Sequence, residues 1–203
     1  MPTPLTIEQL DAQTMFADLL WVDATEFTEA VPEHTWHWLV DIESLTERLQ
    51  AHTSAFSVKV QSEGIAPLFS HEQTQLNATQ VLVCASASPA TISTAQIRQV
   101  LLLDDDTPWV WARSILPQAL CDNEFAALGN QPLGKILFND PRFKRQPFQC
   151  TKLPVEHPFC RAFKAQHPLF GRRSVFVFLE HLIMVTEMFL PDSPAYNQKD
   201  LPQ

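Results

Sequence analysis

The chain has 203 residues, 45% of them hydrophobic, enough to bury one substantial core. Its net charge of −9 and pI near 5.1 disfavour nucleic acid and anionic membranes as partners. With 4 glycines against 16 prolines, Gly-rich phosphate loops and dinucleotide folds are poor fits. The start, Met1-Pro2-Thr3-Pro4-Leu5, lacks the basic region and apolar run of a signal peptide, and no apolar run is long enough to span a bilayer. The expectation is a reduced, cytoplasmic protein in which Cys84, Cys121, Cys150 and Cys160 form no tight pair, folded as a single domain over residues 1–203.

Taken in chain order, apolar residues at helical spacing predict a helix over 7–21, with Thr6 as a possible cap. A second helix is expected over 24–38, kinked or broken at Pro32. Ser44-Leu45-Thr46-Glu47 reads as a capping box, placing a helix start at Leu45. Residues 55–60 alternate like a strand, and 62–78 read as irregular. Apolar runs over 80–84, 97–103 and 109–116 read as strands, the last two joined by the turn Asp104-Asp105-Asp106-Thr107-Pro108 into a hairpin. Helices are expected over 118–128 and 133–138, and prolines interrupt any pattern over 139–168. Two strands, 172–179 and 182–190, close the chain around Glu180-His181, and a loose polar tail follows. Helices followed by serial hairpins predict an α+β fold: one antiparallel β-sheet with flanking helices.

Several motifs carry less than they first suggest. Gly129-Asn130-Gln131-Pro132-Leu133-Gly134-Lys135-Ile136 nearly matches a phosphate-binding loop, but Ile136 stands where a magnesium-holding hydroxyl is required. His34 and His37 are spaced to share a helix face, yet no third ligand pattern lies nearby. Cys150, His157 and Cys160 match no standard zinc spacing. These patterns lead to the expectation of neither a nucleotide site nor a metal site.

The chemistry concentrates on charges inside apolar strands. Glu187 is the only charged residue from Leu182 to Pro191 and shares a period-2 face with Ile183, Val185 and Phe189. A carboxylate there must find a partner or shift its pKa. Arg98 shares a face with Val100 and Leu102, and Arg113 with Trp109, Trp111 and Ile115. Arg172 and Arg173 open the next strand. An arginine on an apolar face calls for an anion; the plainer alternative is an internal ion pair such as Arg98 with Glu187. Pro132 and the Ser44 cap also leave the amides of Leu133 and Leu45 ahead of the helical hydrogen bonds, where carboxylates are favoured.

These residues sit in motifs that resemble the chorismate lyase (chorismate–pyruvate lyase) family. The resemblance is carried by Pro108-Trp109-Val110-Trp111-Ala112-Arg113-Ser114-Ile115-Leu116-Pro117 and by Leu128-Gly129 through Pro132-Leu133-Gly134 to Leu137-Phe138. Gly171-Arg172-Arg173-Ser174 and Thr186-Glu187-Met188-Phe189-Leu190-Pro191 with Pro194-Ala195-Tyr196 continue it, and Asp41 to Leu49 is similar to the family's N-terminal segment. The motifs run in order from about Trp38 to Tyr196.

The resemblance implies a cofactor-free enzyme that converts chorismate to 4-hydroxybenzoate and pyruvate, the first committed step of ubiquinone biosynthesis. It implies a monomer whose partners are that substrate and product, bound beneath helical flaps. Carried over position by position, the substrate contacts fall on Leu45, Arg98, Leu133 and Glu187. The two leucines act through backbone, and Arg98 and Glu187 carry the catalysis. Arg113 or Arg172 is then the candidate for the enolpyruvyl carboxylate. The chain departs from the family over 81–89, in the length of 139–168, and in having leucine at position 45 where some members have methionine. The alternative function is a non-catalytic aryl-acid or small-ligand-binding domain of the same fold. Such effector domains normally follow a basic helix-turn-helix segment, which the N-terminal residues do not resemble.

Overall fold

A computed structural model describes residue 16, residues 19–83, 92–125, residue 129 and residues 131–197. Its centre is one antiparallel sheet. In chain order the strands are β1 (Val22–Asp23), β2 (Phe56–Pro67), β3 (Thr94–Asp104), β4 (Thr107–Leu116), β5 (Lys144–Arg145), β6 (Gln149–Leu153), β7 (Leu169–Phe178) and β8 (His181–Phe189). They lie side by side as β1-β6-β7-β8-β4-β3-β2, with β5 also paired to β7. The α+β fold expected from the pattern is the fold observed.

The two long hairpins follow from local chemistry. β3 and β4 turn at Asp105, and β7 and β8 turn at Leu179, both with positive φ (52° and 53°). Aspartate takes that conformation readily because its side chain can hydrogen-bond locally; Leu179 does so under the constraint of a tight turn. Between Leu102/Val110 and Leu103/Pro108 the register slips by one residue, leaving Trp109 as a bulge. The bulge sends Trp109 into the core with Val110, away from Trp111. The expected common face of Trp109, Trp111 and Arg113 therefore breaks at Trp109.

The helices are α1 (Glu33–Leu39), α2 (Leu45–Gln50), α3 (Ser70–Val83), α4 (Gln118–Cys121), α5 (Gly134–Asn139) and α6 (Pro158–Ala162), with 3-10 turns at Ala24–Glu26 and Pro194–Tyr196. Of the helix expected over 7–21, all but Phe16 and residues 19–21 lie outside the described residues. The helix expected over 24–38 is split: Pro32 caps α1 instead of kinking one long helix. Ser44 Oγ accepts from the Glu47 amide at 3.4 Å and starts α2 at the expected residue. The helix expected over 118–128 stops at Cys121, with 126–128 outside the described residues.

Two expectations fail outright. Residues 62–78 are not irregular: β2 continues to Pro67 past a bulge at Gln61, and α3 begins at Ser70. The polar run Gln61-Ser62-Glu63 hides an edge strand because its outer side faces water. The run over 80–84 is not a strand but the end of α3, as far as Val83, with Val81 and Leu82 exposed. An apolar triplet alone cannot separate helix from strand.

Each face of the sheet is covered by its own layer. On one face, Trp38, Leu39, Leu45 and Leu49 from α1 and α2 pack on Val100, Leu102 and Phe189, and Leu133 and Leu137 pack on Leu116, Phe176 and Ile183. Each of these side chains contributes roughly 1.5–3 kcal/mol through burial. On the other face, Phe69, Phe159 from α6 and Phe16 pack on Leu101, Trp111 and Met188, while Leu76 of α3 packs on Ile97, Ile115 and Met184. Gly171 packs closely against β8: a Cβ there would lie 3.0 Å from the Glu187 carbonyl and would displace the Met188 side chain.

Candidate functional site

The face under α1, α2 and α5 carries the site. Strand register sets Arg98 opposite Ser114, Ser114 opposite Val185, and Val185 opposite Ser174. The adjacent row on that face is Val100, Ala112, Glu187 and Arg172. Ala112, Ser114 and Ser174 are too small to fill the layer beneath the roof. The sheet there is recessed into a cavity with about 670 Å³ of space not filled by protein atoms, its mouth included. Leu45 and Thr46 of α2, and Pro132, Leu133, Gly134 and Leu137 at α5, form the roof. A Cβ at Gly134 would sit 3.1 Å from Thr46 Oγ1, so glycine lets the two roof elements close on each other.

Most of the lining is apolar, and the charges are few and placed. Arg98 is 2% exposed; its Nη1 donates to Glu63 Oε2 at 2.8 Å and its Nη2 to the Gln131 carbonyl at 3.3 Å. The second bond ties the loop before α5 to the floor. Arg172 Nε donates to Glu187 Oε2 at 2.7 Å, and its Nη1 donates to the carbonyls of Trp38 and Asp41 at 2.8 and 2.9 Å. This guanidinium orients the Glu187 carboxylate and fastens the segment leading into α2. The alternative Arg98–Glu187 ion pair does not form: β4 lies between their strands, and each has a nearer partner.

Four residues expected to act together, Leu45, Arg98, Leu133 and Glu187, all border this one cavity. Lys135 donates the first helical hydrogen bond, to the Pro132 carbonyl at 3.2 Å, so the Leu133 amide precedes the helical ladder as expected, although α5 itself starts one residue later, at Gly134. Arg113 is not here. It lies on the opposite face, its Nε and Nη2 donating to Glu72 at 2.8 and 3.1 Å, and is removed as a candidate for the enolpyruvyl carboxylate. Arg172 remains at the cavity.

Sequence reasoning missed Arg145, Ala112, Ser114 and Ser174. The three small residues had a signal: they sit on the same period-2 face as Arg172, Glu187 and the neighbours of Arg98. Arg145 had none, since it lies in the proline-broken stretch. It reaches the cavity because β5 pairs with β7, and burial followed by repulsion from Arg172 holds its pKa below the ordinary arginine value. The decoy histidines separate: His34 is buried with its Nε2 2.8 Å from the Pro194 carbonyl, while His37 is exposed. His157 caps α6 through the Phe159 amide, and Cys160 is buried beneath it. Cys121, Cys150 and Cys160 are free thiols, and burial raises Cys150 and Cys160 to about 11. Among the described residues no helix is long and apolar enough to cross a membrane.

A roofed cavity over one antiparallel sheet, with arginines and one carboxylate in an apolar lining, defines a protein built to enclose a small anionic ligand. A sequence model of the chorismate lyase family matches residues 15–201, and this chain belongs to that family. It is 38% identical over 169 residues to a probable chorismate pyruvate-lyase of Pseudoalteromonas atlantica, covering 82% of this chain and 84% of that protein. It is 32% identical over 191 residues to a chorismate pyruvate-lyase of Pectobacterium atrosepticum, covering 92% of each. Among solved structures, a GntR-family transcriptional regulator from Enterococcus faecalis aligns over 66% of this chain at 11% identity with a TM-score of 0.42.

Proposed function

We propose that this chain converts chorismate to 4-hydroxybenzoate and pyruvate, acting in the cytoplasm as a monomeric single domain at the first committed step of ubiquinone biosynthesis. The observation that carries the reading is the cavity floor. Arg98 stands at one flank and the Arg172–Glu187 pair lies two strands away, across a recess of small side chains, in a chain of this family.

Chorismate has two carboxylates, a ring hydroxyl and an enolpyruvyl ether on the adjacent ring carbon. The reaction breaks the carbon–oxygen bond to the enolpyruvyl group and removes the hydrogen from the hydroxyl-bearing carbon. That proton ends on the methylene carbon of the departing group, which leaves as pyruvate, and the ring becomes aromatic. Aromatisation makes the step downhill, so positioning supplies most of the rate. Arg98 and the Leu133 amide hold the ring carboxylate; the guanidinium has five donors, and its bonds to Glu63 and Gln131 leave some for a ligand. Glu187, fixed through Oε2 by Arg172, accepts from the ring hydroxyl and favours loss of the hydrogen beside it. Leu45 closes the roof over the ring, its amide just after the Ser44 cap. Closure excludes water and strengthens each of these contacts.

The experiment is an assay of purified protein with chorismate and EDTA, following pyruvate by a coupled dehydrogenase and 4-hydroxybenzoate by ultraviolet absorbance. Equimolar products are expected. No product, with thermal stabilisation by 4-hydroxybenzoate, would replace this reading with that of a binding domain.

A further inference from the structure

Three guanidinium groups border the cavity, and they are not equivalent. Arg98 is paired with Glu63 and Arg172 with Glu187. Arg145 has no carboxylate partner among the described residues. Its Nη2 donates to the Ile42 carbonyl at 2.6 Å, and no protein acceptor among those residues takes its Nε or Nη1 hydrogens. The group rests on aromatic faces instead, 4.4 Å from the ring centre of Phe148 and 5.4 Å from that of Phe138. A half-buried cation held over two rings, with donors to spare, is prepared for an anion.

We propose that Arg145 is the residue that holds the second carboxylate of a dianionic ligand, which is the enolpyruvyl carboxylate of chorismate. The assignment rests on the chorismate reading given above. Arg113 is on the wrong face, and Arg172 already spends Nε and Nη1 on Glu187, Trp38 and Asp41. Arg145 is on the correct side of the cavity. Its guanidinium shares Phe148 with Arg172, whose carbon lies 4.7 Å from the same ring, so it flanks the Glu187 end rather than the Arg98 end. The ether substituent of chorismate neighbours the hydroxyl that Glu187 accepts from, and its carboxylate therefore falls at that end. The planar fork of Arg145 can take both carboxylate oxygens.

The product lacks this carboxylate, so the two ligands report on Arg145 differently. In Arg145→Gln, KM for chorismate is expected to rise about 10- to 100-fold, the range for loss of a charge-assisted bond, while Kd for 4-hydroxybenzoate stays within about twofold of wild type. Arg145→Lys, which keeps the charge and loses the fork, is expected to fall between. Equal weakening of both ligands would show Arg145 to be a clasp for the Ile42 segment and overturn the proposal. So would an unchanged KM, or a failure of both variants to fold. If wild type turns over no chorismate, the function reading fails by itself. Arg145 is then tested by binding of 3-(1-carboxyethenyloxy)-4-hydroxybenzoate, an aromatic dicarboxylate that keeps the ether next to the hydroxyl, against 4-hydroxybenzoate. Selective loss of the dicarboxylate in Arg145→Gln supports the proposal and equal loss overturns it.

Discussion

Arg172 and Arg173 are consecutive in β7 and serve opposite faces of one sheet. Facing the roof, Arg172 pairs with Glu187 at the wall of an unfilled cavity, and Glu187 is 19% exposed. On the other face, Arg173 donates to Gln149 at 2.9 Å and to His71 Nδ1 at 2.8 Å, beside an Arg113–Glu72 pair that is 4% and 1% exposed. Glu72 also accepts from the Phe69 amide, and Phe69 lies under the Arg113 guanidinium at 4.2 Å. Trp21 covers Arg173 at 4.6 Å. Both faces hold an Arg–Glu pair in apolar surroundings. Only one leaves carboxylate and guanidinium capacity facing empty space. A charged pair on a strand face is a site when small neighbours leave room above it, and a structural clamp when aromatics fill that room.

Breaking the clamp is expected to have the largest effect. Glu72→Ala leaves Arg113 buried without a counter-charge, a loss of about 3–5 kcal/mol, lowering Tm by on the order of 10 °C in thermal unfolding. The folded fraction should keep the wild-type KM, because the sealed face does not touch the cavity; a raised KM would show the faces to be coupled. On the cavity face the pattern reverses. Arg98→Ala is expected to lower kcat/KM about 100-fold with a stability loss of only about 1 kcal/mol, since Glu63 is 39% exposed and can be hydrated. Wild-type kcat/KM in this variant would remove the clamp assigned to Arg98. Glu187→Gln keeps the shape and loses the charge, and is expected to reduce kcat about tenfold. Unchanged turnover would limit Glu187 to holding Arg172.

The smallest effect is a pH dependence confined to the sealed face. Burial, assisted by Arg173 and opposed by Glu72, holds the His71 imidazole below its ordinary value of 6.5. Its Nδ1 accepts from Arg173 and its Nε2 donates to the Phe16 carbonyl, a tautomer that protonation destroys. The unfolded chain takes up a proton near pH 6.5 that the folded protein refuses until lower pH. Stability from this group is therefore present above about pH 6.5 and is lost as pH falls below it. Tm measured from pH 7.5 to 5 should decline, and His71→Gln should flatten that decline; an unchanged slope would place the titration elsewhere.

What the sequence determined by itself was whatever local chemistry sets. Alternation and turn residues fixed the β3–β4 and β7–β8 hairpins, the Ser44 cap fixed the start of α2, and lone charges in apolar strands marked Arg98 and Glu187. Helix-start chemistry marked the amides of Leu45 and Leu133, and only the family motifs tied both to the substrate. The tertiary structure decided what depends on register and layer. It paired Glu187 with Arg172, turned Arg113 away, brought Arg145 in from a stretch without periodic signal, and left room above Ala112, Ser114 and Ser174. The physical reason is that a side chain's face follows from its own strand, but its partners follow from neighbouring strands. Those are set by pairing between segments far apart in the chain, Val110 with Phe189 and Val22 with Cys150, beyond the reach of any local pattern.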